Sequence, residues 1–194
     1  MIQMIAIVNT KTYNSHYKQF AHNSKISNRK YLSRSCNGEN CVMFCLKKKC
    51  FNKLLLDFKS NLNKIQLILG IPLSWGDDYN KIISFQVHKD NLYVPLFLND
   101  KTTIASKYSN NRNNNNYDCG SQISKSKNSK NANNIIIHNK KILEYPFLGS
   151  GYTKCLLPWC NDGVEEFILL SNTEMLNVIS FKNVKSYNDY YRYK

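Results

Sequence analysis

The apolar positions of the chain predict one amphipathic helix that leads into a series of strands. Between residues 50 and 78, apolar side chains recur three and four positions apart, which is the spacing of one helix face. Gly70 and, two residues later, Pro72 predict the end of this helix. The predicted apolar stripe comprises Phe51, Leu54, Leu55, Phe58, Leu62, Ile65 and Leu69.

After the helix, the pattern changes to the alternation of β-strands. Two alternating runs, residues 82–87 and 92–98, flank a polar turn and predict a β-hairpin. We therefore expect an α+β fold in which an N-terminal amphipathic helix packs on a mostly antiparallel sheet. Further strands are predicted at residues 135–137, 142–147, 152–157, 164–170 and 175–181.

The 194 residues suffice for one domain with its own core. Residues 99–134 are rich in Asn, Ser and Lys, and they are predicted to form a long disordered insertion between two strands. The domain is expected to consist of residues 41–98 and 135–185. The polar tail, residues 186–194, is expected to fray.

Residues 1–38 contain six Lys and Arg and no acid, and the first acid is Glu39. This composition is typical of a mitochondrial transit peptide, and a disordered basic leader without a targeting role is the alternative. No run of eighteen apolar residues occurs in the sequence, so no transmembrane helix is predicted.

The formal net charge of +14 suggests an anionic partner, such as nucleic acid or a membrane surface. Most of this charge lies in residues 1–38 and 101–130, which are the segments least expected to fold. This distribution disfavours a nucleic-acid-binding domain but leaves nucleic acid as an alternative partner.

The sequence shows no nucleophile with a base, no metal-ligand cluster and no cofactor loop, so no enzyme activity, metal or cofactor is predicted. Glu165 and Glu166 point to opposite faces if they lie on a strand, which makes them a poor catalytic pair. The seven cysteines are interpreted mainly as small, half-buried apolar residues. A redox role for Cys41 and Cys45 in an oxidising intermembrane compartment is the alternative.

Three segments, residues 69–73 (LGIPL), 147–151 (FLGSG) and 162–170 (DGVEEFILL), carry a resemblance to a known family. In this order they resemble the soluble domain of the Tim twenty-one family, a subunit of the presequence translocase of the mitochondrial inner membrane. The cytochrome oxidase assembly factor one family has a similar outline. That translocase family carries a transmembrane helix that the sequence does not show, and the Asn-rich insertion is foreign to its pattern.

The resemblance implies an α+β fold and a non-enzymatic role in protein import. The chain would dock to other translocase subunits or to an assembly complex, and it would associate with the membrane through those partners. An organellar ribosomal or other nucleic-acid-associated protein is the competing hypothesis. The partner-binding surface is expected at a sheet edge or at the turn-rich end formed by Gly149, Gly151, Trp159, Asn161 and Gly163, with Trp159 in the core as the alternative.

Overall fold

A computed structural model describes residues 1–22, 31–33, 42–71, 73–99, 102–107, 134–138, 153, 155–158, 163–170 and 172–192. The strands are β1 (Ile2–Val8), β2 (Tyr31–Leu32), β3 (Val42–Lys47), β4 (Lys81–Val87), β5 (Tyr93–Asn99), β6 (Thr102–Lys107), β7 (Asn134–His138), β8 (Phe167–Leu170) and β9 (Glu174–Phe181). The helices are α1 (Thr10–Thr12), α2 (Lys48–Asp57), α3 (Leu62–Ile68) and α4 (Val184–Arg192). Helical turns over Tyr13–Tyr17 and Lys18–Phe20 continue from α1.

The strands form one sheet with the order β2-β9-β4-β1-β3-β8-β5-β6-β7, and neighbouring strands run antiparallel. The predicted α+β class with a mostly antiparallel sheet is therefore confirmed. The sheet curls, because β4 and β5 follow each other in sequence but lie four strand positions apart. In a flat sheet that separation is about 19 Å. The connection, residues 88–92, contains the helical turn Lys89–Asn91 and is therefore too short to span it.

This connection also corrects the predicted hairpin. Both strands form where the sequence predicts them, but β4 pairs with β1 and β9, and β5 pairs with β6 and β8. Local alternation identifies a strand, whereas its partner is decided by contacts between residues distant in sequence.

The N-terminal strand β1 is an interior strand of the sheet. The sequence, in contrast, predicts a transit peptide or disordered leader over residues 1–38. β1 pairs with β4 over its whole length and with β3 on its other side. Met4, Ile5 and Ala6 have no exposed surface. The expectation of a disordered leader is wrong for these residues, because their apolar side chains are buried between two layers of the core.

The predicted long helix is two helices, α2 and α3. Lys59 and Ser60 have positive φ values of 48° and 59°, which interrupt the helix, and the Asn61 side chain caps the start of α3 by accepting from the Lys64 N–H. The stop at Gly70 is confirmed, with φ at 72° and the Ile71 N–H donating to the Gln66 carbonyl.

Two apolar clusters cover opposite faces of the sheet, because alternate residues of β1 belong to different clusters. Met4 and Ala6 join the cluster under Tyr13, Tyr17 and Phe20, while Ile5 joins the cluster under α2, α3 and α4. The predicted stripe lies in the second cluster, with Phe51, Leu54, Leu55, Ile65 and Leu69 buried and Phe58 and Leu62 partly buried.

Two predicted boundaries also change. Residues 102–107, expected in the disordered insertion, form β6 between β5 and β7, and the insertion itself, residues 108–133, lies outside the described residues. Residues 186–192, expected to fray, belong to α4, in which Tyr187 is 1% exposed. Tyr187 packs edge-on against Phe51 and Phe181, so the aromatic residues hold this helix on the sheet.

Candidate functional site

The turn-rich surface predicted to bind a partner falls mostly outside the described residues. Gly149, Gly151, Trp159 and Asn161 are in this group, and the structure does not test them. Gly163 is described and is buried. A Cβ atom there would lie 1.9 Å from the Thr153 Oγ1 and 2.3 Å from the Ile68 carbonyl oxygen. Gly163 therefore serves close packing and is not exposed as expected, while its role in partner binding stays a prediction.

Hydrogen bonds around Thr153 explain why Gly163 is enclosed. The Thr153 N–H donates to the Val164 carbonyl at 2.9 Å, and the Gly163 N–H donates to the Thr153 carbonyl at 2.8 Å. The Thr153 hydroxyl donates to the Ile68 carbonyl at 2.7 Å and accepts from the Val164 N–H at 3.0 Å. The two ends of the loop between Thr153 and Val164 are thereby joined to each other and to the C-terminal end of α3.

The second predicted surface, a sheet edge, is described at β7. This strand pairs with β6 from Thr102↔His138 to Ser106↔Asn134, and within the described residues it has no second strand neighbour. The opposite end of the sheet is β2, a strand of two residues. Its edge is shorter, so β7 offers the longer row of backbone groups.

Among the described carboxyl groups, Glu166 has the pKa that departs most from its ordinary value. The sequence predicted no role for this residue. The residue is 6% exposed, and its Oε2 atom has no hydrogen-bond partner among the described residues. Burial raises the pKa of Glu166 to about 8. The same carboxyl lies near the Cys45 thiol, whose pKa is raised first by burial and second by Glu166.

The side chain of the neighbouring Glu165 has a different environment, as expected because the side chains of adjacent residues in an extended segment point to opposite faces. Its Oε2 accepts from the Lys47 Nζ at 2.8 Å, and both side chains keep some contact with solvent. No signal in the sequence separates the two carboxyls, because which of them is buried depends on the register between β3 and β8.

The three cysteines in the described part of the chain have two chemical states. Cys45 and Cys50 are thiols, and Cys45 is buried. The predicted redox role for Cys41 and Cys45 does not fit Cys45, because a buried thiol with a raised pKa is a poor nucleophile. Cys155 is disulfide-bonded, which the sequence did not predict for it.

A basic and aromatic surface forms where α4 meets the start of α2. The Lys48 Nζ lies 3.9 Å from the centroid of the Tyr191 ring, a cation–π distance. Tyr190 and Tyr191 contact each other edge-on, and both are partly exposed. The contact between Lys48 and these tyrosines cannot be read from the sequence, because α2 and α4 lie far apart along the chain.

Two further features follow from the described residues. They contain no group of three or more His, Cys, Asp and Glu side chains that could hold a metal ion. None of their helices has both the length and the apolar character needed to cross a bilayer. Comparisons with protein-family models, with curated proteins and with solved structures find no match to this chain.

Proposed function

We propose that this chain is a non-catalytic adaptor that binds an acidic, extended segment of another protein along β7. The observation that carries the proposal is the position of β7 at the end of the sheet, where β6 is its one described neighbour. An edge strand presents N–H and C=O groups on its outer side, and an extended peptide can add there as a further strand. Backbone pairing supplies affinity without any catalytic group.

The charge of the chain supports an acidic partner. Residues 108–133, which connect β6 to β7, contain four Lys and Arg and one Asp, within a chain of net charge +14. An acidic segment would be attracted to this end of the sheet, and the attraction would weaken as salt increases. Mitochondrial presequences are themselves basic and poor in acids, so we propose docking to another subunit in preference to direct capture of a presequence.

The proposed setting is protein import at the mitochondrial inner membrane, on its intermembrane side. The resemblance to the translocase subunit supports a role in protein import at the inner membrane. The disulfide at Cys155 supports a location on the intermembrane side, because disulfides persist in oxidising compartments. Because β1 is an interior strand paired on both sides, removal of residues 1–38 after import would take a paired strand out of the sheet. An intact mass of the organellar protein that retains these residues agrees with the proposal, and cleavage near residue 38 contradicts it.

Two proline variants of β7 test the binding edge. Successive N–H groups along a strand point to opposite sides, so one of Ile135 and Ile136 donates towards β6 and the other points outward. Proline removes the donor. The proline that removes a donor to β6 should lower Tm more than the proline that removes an outward donor. Of Ile135→Pro and Ile136→Pro, the variant with the smaller loss of Tm therefore lacks the outward donor, and the other variant is its matched control for stability.

The binding probe is a blocked twelve-residue peptide of alternating Glu and Val, compared with the corresponding Lys and Val peptide at low and high salt. We expect the acidic peptide to bind and the basic one not to bind. The proline variant with the smaller loss of Tm should weaken binding by about tenfold. Binding that neither proline changes, or equal binding of both peptides, contradicts the proposal.

One observation favours a second candidate, binding of single-stranded nucleic acid. Bases stack on partly exposed aromatic rings while nearby cations contact the phosphates, and Lys48 and Tyr191 provide both groups in contact. Anisotropy of a labelled oligouridylate tests this candidate. Binding that is lost in Tyr191→Ala and Lys48→Ala but retained in the proline variants would favour nucleic acid over the acidic segment.

A further inference from the structure

Helices α2 and α4 lie side by side on one face of the sheet. The Tyr187 hydroxyl donates to the Asn52 Oδ1 at 2.5 Å, and the Lys48 Nζ lies 3.9 Å from the centroid of the Tyr191 ring. These two contacts follow each other in opposite directions along the two helices, so the helices run antiparallel. Both contribute buried side chains to the same apolar cluster, and their outer sides therefore form one surface.

This surface contains several exposed side chains. Helix α2 exposes three residues at spacings of four and three positions, which place them on one side of the helix. Helix α4 exposes Lys185 one turn before Asn188, and the Asn188 amide donates to the Ser60 hydroxyl beyond the end of α2 at 2.6 Å. We define the α2–α4 face as Lys48, Lys49, Lys53, Leu56, Lys185 and Tyr191.

The α2–α4 face is basic. Helix α2 contains three Lys and one Asp, and helix α4 contains one Lys, one Arg and one Asp, so positive charges are in excess on both helices. Lys49, Lys53 and Lys185 are exposed, and Lys48 is partly exposed. A surface of this charge attracts an anionic partner, and the attraction weakens as salt increases.

Leu56 indicates which kind of anionic partner fits. Its side chain is 78% exposed, the largest value for a large apolar residue in the described part of the chain. An apolar side chain beside lysines gains little from the phosphates of a nucleic acid or the carboxylates of an acidic protein. It does gain free energy when it enters the boundary between lipid headgroups and acyl chains. Tyr191 suits the same boundary, because its ring has an apolar body and a polar tip.

We infer that the α2–α4 face binds the surface of an anionic bilayer. Leu56 and Tyr191 enter the headgroup region, and the lysines contact lipid phosphates. Helix α2, ten residues long, lies parallel to the bilayer over about 15 Å. This contact is direct, whereas the resemblance implies membrane association through partners. It does not depend on the proposed binding at β7, because peptide binding tests β7 and vesicle binding tests this face.

Vesicle flotation of the full chain tests the inference. Vesicles of equimolar phosphatidylcholine and phosphatidylglycerol are compared with vesicles of phosphatidylcholine alone, at low and high salt. We expect the chain to float with the anionic vesicles at low salt. It should stay in solution with the neutral vesicles, and with the anionic ones at high salt. Equal flotation with both kinds of vesicle, or with neither, overturns the inference.

Two double variants with the same change in net charge locate the binding surface. Lys49→Gln with Lys53→Gln removes charge from the α2–α4 face. Lys11→Gln with Lys18→Gln removes it from the helical segments that cover the opposite face of the sheet. The first pair should weaken binding to anionic vesicles by about tenfold, and the second by less than about twofold. Equal effects of the two pairs overturn the inference, because net charge alone would then explain binding.

Leu56→Gln separates a lipid surface from other polyanions. It should weaken binding to anionic vesicles by about fivefold. Leu32→Gln, at the exposed residue of β2, is the matched control and should bind as the unaltered chain does. Thermal unfolding should show that all these variants keep their Tm, because each replaced side chain is exposed. If the α2 lysine variant weakens binding but Leu56→Gln does not, the face attracts polyanions in general, and the lipid assignment is overturned in favour of nucleic acid.

Discussion

Replacing Glu166 by Gln should alter the pH dependence of stability. The pKa of Glu166 is raised to about 8 in the folded chain by burial, and the unfolded value is 4.5. Below pH 4.5 the carboxyl is protonated in both states. Between pH 4.5 and 8 the unfolded state loses this proton while the folded state keeps it, so stability falls as pH rises.

The size of this effect follows from the pKa difference. Each pH unit in this window lowers the free energy of unfolding by about 1.4 kcal/mol. At pH 7 the loss is about 3 kcal/mol, an upper figure, because water entry and local relaxation reduce the effect of burial. Gln cannot ionise, so Glu166→Gln should lack this part of the pH dependence.

Urea unfolding at several pH values between 5 and 8 measures the effect. Glu165→Gln is the matched control, since it removes the partly exposed ion pair with Lys47 at a cost below about 1 kcal/mol and leaves the Glu166 carboxyl in place. The difference in stability between Glu166→Gln and the unaltered chain cancels the titration of all other groups. If that difference stays constant from pH 5 to 8, the reasoning about Glu166 is refuted.

Three further changes test the packing. Gly163→Ala should lower stability by about 3 kcal/mol or more in urea unfolding, because its Cβ would lie 1.9 Å from the Thr153 Oγ1; unchanged stability would mean an open site. Ile65→Ala, at a fully buried position, should destabilise by about 2–5 kcal/mol, and Leu62→Ala, partly buried, by less; equal losses would contradict the assigned burial. Deleting residues 1–8 removes the interior strand β1 and should abolish the cooperative thermal transition followed by circular dichroism; a retained transition would show that β1 is dispensable.

The elements that the sequence predicts best are those with a strong local pattern. The apolar stripe of α2 and α3 and the alternation of β9 are visible without any knowledge of distant contacts. The break between α2 and α3 is hidden, because the apolar spacing continues across Lys59 and Ser60 although both have positive φ. The Val184, Tyr187 and Tyr191 spacing is also helical, but the polar composition around it favours a frayed tail.

The errors at β1 and at Gly163 have a common physical cause. Residues 2–8 form an apolar run, but the basic, acid-free residues that follow favour a leader, and only pairing with β4 and β3 shows that the run is a central strand. The Asn161-Asp162-Gly163 signature is similar: it predicts a turn, but whether Gly163 faces solvent or Thr153 depends on tertiary packing. Composition and turn signals describe local preference, and burial is decided by the whole fold.

The position of Glu166 shows the same limit for the candidate site. Adjacent carboxyls at Glu165 and Glu166 are equivalent in sequence, yet one contacts Lys47 and the other is buried near Cys45. For the β7 edge, the sequence predicts the strand itself, because it contains a run of isoleucines. Its place at the end of the sheet cannot be predicted in the same way, because strand order is decided by contacts between residues distant in sequence.

Site-specific photo-crosslinking from β7 tests the adaptor proposal most directly. A photoreactive amino acid at Ile137 in the full chain, irradiated in extract of the source organelle at low salt, should give one dominant adduct with an acidic segment of an inner-membrane translocase or assembly subunit. The yield of this adduct should fall at high salt and in the proline variant that removes the outward N–H donor. A dominant adduct with ribosomal protein or RNA, or no adduct from β7 while the same probe at Leu32 of β2 captures a subunit, would contradict the proposal.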